Sequence, residues 1–353
     1  MLGNLSLQMI YELALEIGSS IGLALLLGPV AIFIAKRIGA IDTPGSAAHK
    51  MHAVPTPLAG GLVLFLALPV LATLFGLWDN RGIAWLLAAV GIIFIFGLID
   101  DTHGLSAPQK FLGQFIAAEV LILSGTSVHF LEPFRLPLTT WLVAAFDWVI
   151  SLLWLVGMSN AFNLIDSMDG LVAGLATICA GFFTVMSLAS GQAELTQTTA
   201  VLAGLTLGLY FYNNSPARFF LGDSGAQAIG FLLAAIGILY TPPHLPQGST
   251  WFLPILVLGV PIFDTTLVVV SRIRRHKPVF QADLAHTYHR LVKLGLAPSQ
   301  AVLMIQITAL LLCTVAFIAM SLMPQIASLL FLIMILVGIV LIIFFEKAVK
   351  IES

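Results

Sequence analysis

The residues in this chain that could do chemistry are carboxylates, amides and histidines, and they recur at the ends of apolar runs. Asp100 and Asp101 are adjacent in GLIDDTHGLSAPQK, which closes on Lys110. Ionisable groups beside hydrocarbon cost free energy, so they mark a functional site by default. Neighbours on a helix point about 100° apart and cannot both chelate one ion on regular backbone. One is expected to face a site and the other to pair with a cation. In NAFNLIDSMDG, Asn160, Asn163, Asp166 and Asp169 recur every third residue, which a helical turn would place roughly on one face. Such a stripe suits a hard cation, a diphosphate bound through it, or a polar ligand such as a sugar or base. The plainer alternative is a solvated loop with an Asx turn and a helix cap, which Ser167 and Gly170 fit. In FFLGDSGAQAIG, Asp223 stands between glycines before an apolar run. Free amides at that helix start could hold a phosphate, with Asp223 on a bridging magnesium ion. Equally, Asp223 or Ser224 could be a simple N-cap.

The segment SRIRRHKPVFQADLAHTYHRLVKLG gathers Arg272, Arg274, Arg275, His276, Lys277, His286, His289, Arg290 and Lys293. The outermost of these read as ordinary cytoplasmic charge facing anionic lipid. His286 and His289, beside Asp283, are better suited to phosphate oxygens or a sugar, and without a nearby cysteine or a third histidine in register they do not read as a zinc site. An earlier segment, HKMHAVPTPLAGG, holds His49, Lys50 and His52, then Pro55, Pro57, Gly60 and Gly61. Its prolines stiffen the chain, and its glycines admit close approach of a ligand or a neighbouring helix. Asp264 stands about two turns before Arg272, within reach of the basic cluster, whereas Glu119 and Asp147 read as polar pairs inside a bundle. Cys179 and Cys313 lie in apolar runs and read as core.

The elements that must position these groups are membrane helices. The chain has 353 residues, 59% hydrophobic and 9% charged, with mean hydropathy +1.05, too apolar to clothe a soluble globule. The expected fold is an all-α polytopic integral membrane protein, a single domain over 1–353. Eleven apolar runs lie near 15–35, 58–77, 83–99, 111–129, 139–157, 171–190, 197–213, 226–241, 251–271, 300–322 and 326–345. The first run, after Glu12 and Glu16, lacks the basic start and cleavage site of a signal peptide. Of the 15 Lys and Arg residues, all but Arg81 and Arg135 fall on one side of these runs. That bias predicts an outside amino terminus and a cytoplasmic carboxyl terminus. The segments near 42–57, 100–110, 160–170, 213–225 and 272–293 then share the cytoplasmic face.

Taken in order, these motifs resemble those of the polyprenyl-phosphate N-acetylhexosamine-1-phosphate transferases, glycosyltransferase family 4, from about His49 to Ala301. The resemblance implies transfer of N-acetylhexosamine 1-phosphate, as GlcNAc-1-phosphate, from a UDP-sugar to undecaprenyl or another polyprenyl phosphate. UMP would leave, in the first membrane step of envelope polysaccharide synthesis such as lipopolysaccharide or teichoic acid. It implies Asp100, Asp101, Asp223, His286 and His289 as catalytic, with Asp223 the principal ligand of Mg2+ (or Mn2+) and Asn163 beside it. Lys50, Lys110, Asn160, Asn163, Asp166 and Asp169 would contact nucleotide, phosphate or metal. The implied partners are the UDP-sugar, the lipid acceptor, the bilayer of the plasma membrane and a second copy in a homodimer; no nucleic acid is implied.

Leu284 and Tyr288 stand where transferases for UDP-GlcNAc usually carry an Arg and the first of two adjacent histidines. The triple histidine of the peptidoglycan branch is absent, so the likeness is closer to the GlcNAc branch. Asp100 is the family's candidate general base. A phosphate monoester is already mostly ionised near neutral pH, so Asp100 and Asp101 could instead place Lys110 or the metal. Two other classes are a secondary transporter with acid-coupled helices, which calls for acids near the bilayer midplane and a repeat between halves, and a lipid-binding scaffold, which needs no such set of motifs.

Overall fold

The hydrocarbon-rich runs fold as helices because lipid leaves backbone polar groups no partner outside the segment. The computed structural model describes residues 6–44, 54–129, 139–278 and 285–349. His49, Lys50, His52, Asp283 and Leu284 lie outside the described residues. In chain order the helices are α1 Leu7–Ile38, α2 Gly60–Leu74, α3 Arg81–His103, α4 Ala107–Leu123, α5 Thr140–Ile165, α6 Leu171–Ala189 and α7 Ala193–Asn213. They continue as α8 Gly222–Leu239, α9 Gln247–Thr250, α10 Leu253–Val257, α11 Gly259–Arg274, α12 Thr287–Lys293, α13 Pro298–Ala319 and α14 Pro324–Ala348. A minor departure from an all-α fold is one antiparallel pair, β1 Ile41–Asp42 with β2 Thr56–Pro57.

Each of the eleven apolar runs coincides with a helix or, for 251–271, with a bent series. Among the described residues, seven helices are long and apolar enough to cross a membrane, or eight if the α9–α10 stretch and α11, bent by 66°, form one span. The expected eleven crossings therefore do not follow from helix length and composition. α2 is short, at 15 residues. α4 carries Lys110, Gln114 and Glu119 within 17 residues. α7 is rich in threonines, of which Thr196, Thr198, Thr199 and Thr206 donate their hydroxyls back to carbonyls one turn earlier.

Helix ends are set by local chemistry. Ser6 caps α1 by accepting from Met9 N at 3.1 Å, and Asn80 caps α3 by accepting from Ile83 N at 3.0 Å. At the start of α4, Gln109 reaches back to the Ser106 amide at 2.9 Å, a capping box with Pro108 in the first turn. Cys179 and Cys313 are buried core residues, both with sulfur toward the Val257 carbonyl.

α8 is the centre of the bundle: 78% of its apolar window is buried, against 6% for α14, whose side chains face outward. α2 and α3 approach its first turn closely because glycine removes the side chain. A Cβ at Gly61 would lie 2.2 Å from Ser224 Oγ, and one at Gly97 would lie 2.4 Å from the Ser224 Cα. Backbone bonds stitch the PTPLAGG segment to the chain before α8. Phe220 N donates to Pro57 O at 2.9 Å, Gly60 N to Phe220 O and Gly61 N to Leu221 O, both at 3.1 Å. Of the two roles open to Gly60 and Gly61, close packing on a neighbouring helix is the one seen.

Gly97→Ala drives a methyl into α8 backbone. Overpacking of this kind costs about 1–3 kcal/mol, so thermal melts in detergent should show a clear loss of stability, whereas Gly91→Ala, with nothing within 4 Å, should melt like the wild type.

Candidate active site

Asp223 is the second residue of α8, and its Oδ2 accepts three bonds: from Lys110 Nζ at 2.8 Å, Gln227 Nε2 at 3.1 Å and Asn163 Nδ2 at 3.3 Å. Lys110 Nζ also pairs with Asp100, whose Oδ1 accepts from Leu105 N at 2.6 Å. One ammonium thus bridges carboxylates from α3 and α8. Asp101, rotated about 100° from its neighbour, faces the start of α8. It accepts from Asp223 N at 2.7 Å, Ser224 N at 3.1 Å and Ser224 Oγ at 2.5 Å.

This arrangement corrects two expectations. The amides at the start of α8 do not face outward for a phosphate, because the positive end of the helix already holds a carboxylate of the chain itself. Nor is the cap Asp223 or Ser224; it is Asp101, supplied by another helix. Gly222, at φ +72°, makes the turn that allows this, and a Cβ there would lie 2.6 Å from Asp101 Oδ2.

The four residues of the NAFNLIDSMDG stripe all line one cavity, but not as one helical face. α5 ends at Ile165, so Asn160 and Asn163 project from the helix while Asp166 and Asp169 belong to the loop after it. Asp169 Oδ2 accepts from Ala217 N at 3.1 Å, tying that loop to the segment before α8. Asn160 exchanges bonds with Gln114: its Nδ2 donates to Gln114 Oε1 at 2.6 Å, and Gln114 Nε2 donates to its Oδ1 at 3.2 Å. Burial, then the like charges of Asp223, Asp101 and Asp169, push the Asp166 carboxyl up to about 8.

The histidine loop meets the same cavity. His286 and His289 both line it, with ring centres 6.3 Å apart. Buried Asp264 holds the loop from α11: its Oδ2 is 2.7 Å from His286 Nδ1, and its Oδ1 accepts from Thr287 N at 2.6 Å. Arg290, one of the basic cluster, turns inward and is fully buried. It donates to Ala285 O at 2.8 Å, Phe345 O at 3.0 Å, Ser271 Oγ at 2.9 Å and Glu346 Oε1 at 2.7 Å, fixing the loop to α11 and α14. Of the two acids expected inside the bundle, Asp147 is buried and faces the half-exposed His129 at 3.4 Å, whereas Glu119 is half-buried and accepts from Trp148 Nε1 at 3.2 Å near the surface.

The cavity measures about 1260 Å³. Asp223, Lys110 and Asp166 line its polar part, while Phe111 and Phe115 of α4 and Leu152 and Leu153 of α5 line an apolar part. Phe115 and Leu153 are 41% and 67% exposed, so this part of the wall continues onto the outer apolar surface of the bundle. Gln114 and Gln227 are the functional candidates that motif reading missed. Each stands one turn after a recognised group, Lys110 or Asp223, and a polar residue at that spacing inside an apolar helix was the available signal.

The Asp166 shift fixes a sign. A carboxyl with a raised folded value favours the folded state while protonated, so its contribution is intact below about 4 and is lost as pH rises toward about 8. In chelator-treated protein the melting temperature should fall across that window, and Asp166→Asn should flatten the fall. An unchanged slope in the variant would place the charge strain elsewhere.

Comparison with known proteins agrees with this geometry. The model of glycosyl transferase family 4 matches residues 83–241, which span α3 to just past α8. A Bacillus subtilis protein described as a probable undecaprenyl-phosphate N-acetylglucosaminyl 1-phosphate transferase is 33% identical, over 84% of this chain and 82% of its own length. A decaprenyl-phosphate N-acetylglucosaminephosphotransferase of Mycobacterium tuberculosis is 34% identical, over 79% of this chain and 75% of its own. A phospho-N-acetylmuramoyl-pentapeptide-transferase of Lactiplantibacillus plantarum is 37% identical but over only 52% of this chain. With relatives above 30% identity aligned along most of the chain and the family model matched from α3 to just past α8, the chain belongs to glycosyl transferase family 4.

Proposed function

We propose that this protein transfers N-acetylglucosamine 1-phosphate from UDP-N-acetylglucosamine to undecaprenyl phosphate or a similar polyprenyl phosphate, releasing UMP. The observation that carries the reading is the continuous cavity, which joins a carboxylate and lysine cluster to an apolar wall reaching the outer surface. One substrate is a long lipid and the other a water-soluble nucleotide, so a site serving both must meet bilayer and water. The relatives aligned along most of the chain carry this acceptor type and this sugar in their names. Eleven crossings, an outside amino terminus and a site facing the cytosol at the plasma membrane are part of the proposal, supported by the bias of Lys and Arg to one side. A transporter would use acids near mid-bilayer; the acids of this cavity sit at helix ends, which favours the transferase.

In the proposed reaction an ionised oxygen of the acceptor phosphate attacks the β-phosphorus. The bond from that phosphorus to the bridging oxygen breaks, and UMP leaves with the electron pair. Transfers of this type depend mainly on positioning and charge neutralisation. Lys110, a third exposed, can turn from the carboxylates toward the transferring phosphate. His286, held through Nδ1 by Asp264, and His289 can donate to phosphate or sugar oxygens. Asp100 already accepts from Leu105 N and Lys110, which supports a positioning role over that of a base.

Among the described residues, no group of three or more His, Cys, Asp or Glu side chains is arranged to hold a metal with Lys110 where it stands. The donor chemistry nevertheless fits Mg2+ or Mn2+: hard oxygens of Asp223, Asn163 and Asp166 share the cavity, and like charge there already raises the proton affinity of Asp166. We assign the ion to Asp223 with Asn163; when bound it would neutralise charge on the diphosphate.

Purified protein with UDP-GlcNAc, undecaprenyl phosphate and Mg2+ should release UMP, and no release with any common UDP-hexosamine would refute the proposal. Asp223→Asn should lower kcat at least about 100-fold; near-normal turnover would remove Asp223 from the metal site. Asp100→Asn should lower the rate while keeping the shape of the pH profile, whereas loss of an acidic limb would restore Asp100 as the base.

A further inference from the structure

Behind Asp223 lies a row of amides that begins at Asn160 and runs through two buried glutamines, Gln114 and Gln227, to which no role has been assigned. Gln114 is 1% exposed and Gln227 3% exposed, so an unmade bond on either has no water to replace it. Asn160 Nδ2 donates to its own helix at Val156 O, 2.8 Å, and to Gln114 Oε1 at 2.6 Å. Gln114 Nε2 donates to Gln227 Oε1 at 2.9 Å, and Gln227 Nε2 donates to Asp223 Oδ2 at 3.1 Å. Ser159 Oγ also donates to the main-chain oxygen of Gln227 at 3.1 Å, fixing α8 against α5.

Gln114 Nε2 also donates back to Asn160 Oδ1 at 3.2 Å, but from Gln114 to Asp223 the row has one direction. Its two ends, a backbone carbonyl and a carboxylate, only accept, so Asn160 must turn its nitrogen toward Val156 O and the last amide must turn its nitrogen toward Asp223. Turning Gln227 over would set oxygen against Asp223 Oδ2 and nitrogen against the nitrogen of Gln114. Turning Gln114 over would set its oxygen against that of Gln227. Each reversal leaves buried polar groups unpaired, and the unpaired group bears its full desolvation cost.

We propose that Asn160, Gln114 and Gln227 form a one-way amide relay that aims the Asp223 carboxylate, making Gln114 and Gln227 positioning residues of the site. The relay, with Asn163, explains how Asp223 stays in place when the partly exposed Lys110 turns toward substrate. It also gives Asn160, which lines the cavity, a partner behind the site. Its consequence for turnover rests on the transferase reading; its effect on Asp223 does not.

The isosteric change Gln114→Glu keeps volume and still accepts from Asn160, but an ionised carboxylate cannot donate to Gln227. The double variant Gln114→Leu with Gln227→Leu removes the relay without leaving half of it unpaired. Either should lower kcat by at least about tenfold, with KM for UDP-GlcNAc and undecaprenyl phosphate within about twofold, as expected for a misaimed group. A folded variant with kcat near wild type, or a loss confined to KM, would overturn the role in turnover. A stability cycle decides the relay itself: melting temperatures of wild type, Gln114→Glu, Asp223→Asn and the pair should be non-additive by at least about 2 °C. Additive shifts would overturn it. Wild-type protein that releases no UMP refutes the transferase reading alone, since the cycle still reports on the relay.

Discussion

A helix that begins inside protein must find partners for its first amides, and the first turn of α8 finds them in the carboxylate of Asp101. The rest of the site depends on that contact. It locks the end of α3 to the start of α8, where Gly97 and Gly61 let three helices meet at nearly backbone distance. Asp223, carried on the capped turn, is thereby delivered beside Asp100 with Lys110 between them. An aspartate pair looks redundant in sequence. In three dimensions its members divide, one setting the helix start and the other holding the lysine.

Around this contact the polar groups form an outer and an inner layer. Facing the cavity are Lys110, Asn160, Asn163, Asp166, Asp223 and the histidines; behind them stand Gln114, Gln227 and Asp264, whose bonds end on the groups in front. Inside a helix bundle each such bond replaces one that water would make, so an incomplete network is costly and a complete one is rigid. The same economy governs Arg290, which is fully buried yet satisfied by two carbonyls, a hydroxyl and Glu346. That anchorage reaches α14, so the outermost helix, almost wholly exposed along its length, still helps to fix the histidine loop.

Much of this was legible before any coordinates. Apolar runs located the long helices, though not the short α9 and α12, and polar residues at their ends named much of the cavity lining, because neither feature depends on what packs against what. The stripe from Asn160 to Asp169 was legible as a set of residues but not as a shape, since periodicity does not say where α5 stops. Gln114 and Gln227 are less legible, because an amide one turn after a recognised group marks a polar position but does not name its partner across the bundle. The number of crossings read from hydropathy, eleven, exceeds the seven or eight that length and composition support among the described residues, because α2 and α4 are short and α7 is rich in threonine.

The sequence by itself determined that this is a helical membrane protein whose acids, amides and histidines lie at helix ends, because hydrocarbon demands internal backbone bonding and makes each exception visible. The order of its motifs also determined its family. Tertiary structure alone decided which of two adjacent aspartates caps a helix and which holds a lysine, and that the α8 amides are filled from within. Those choices turn on angles and distances between helices far apart in the chain, such as those carrying Asp101 and Asp223, 122 positions apart, and no local pattern encodes them.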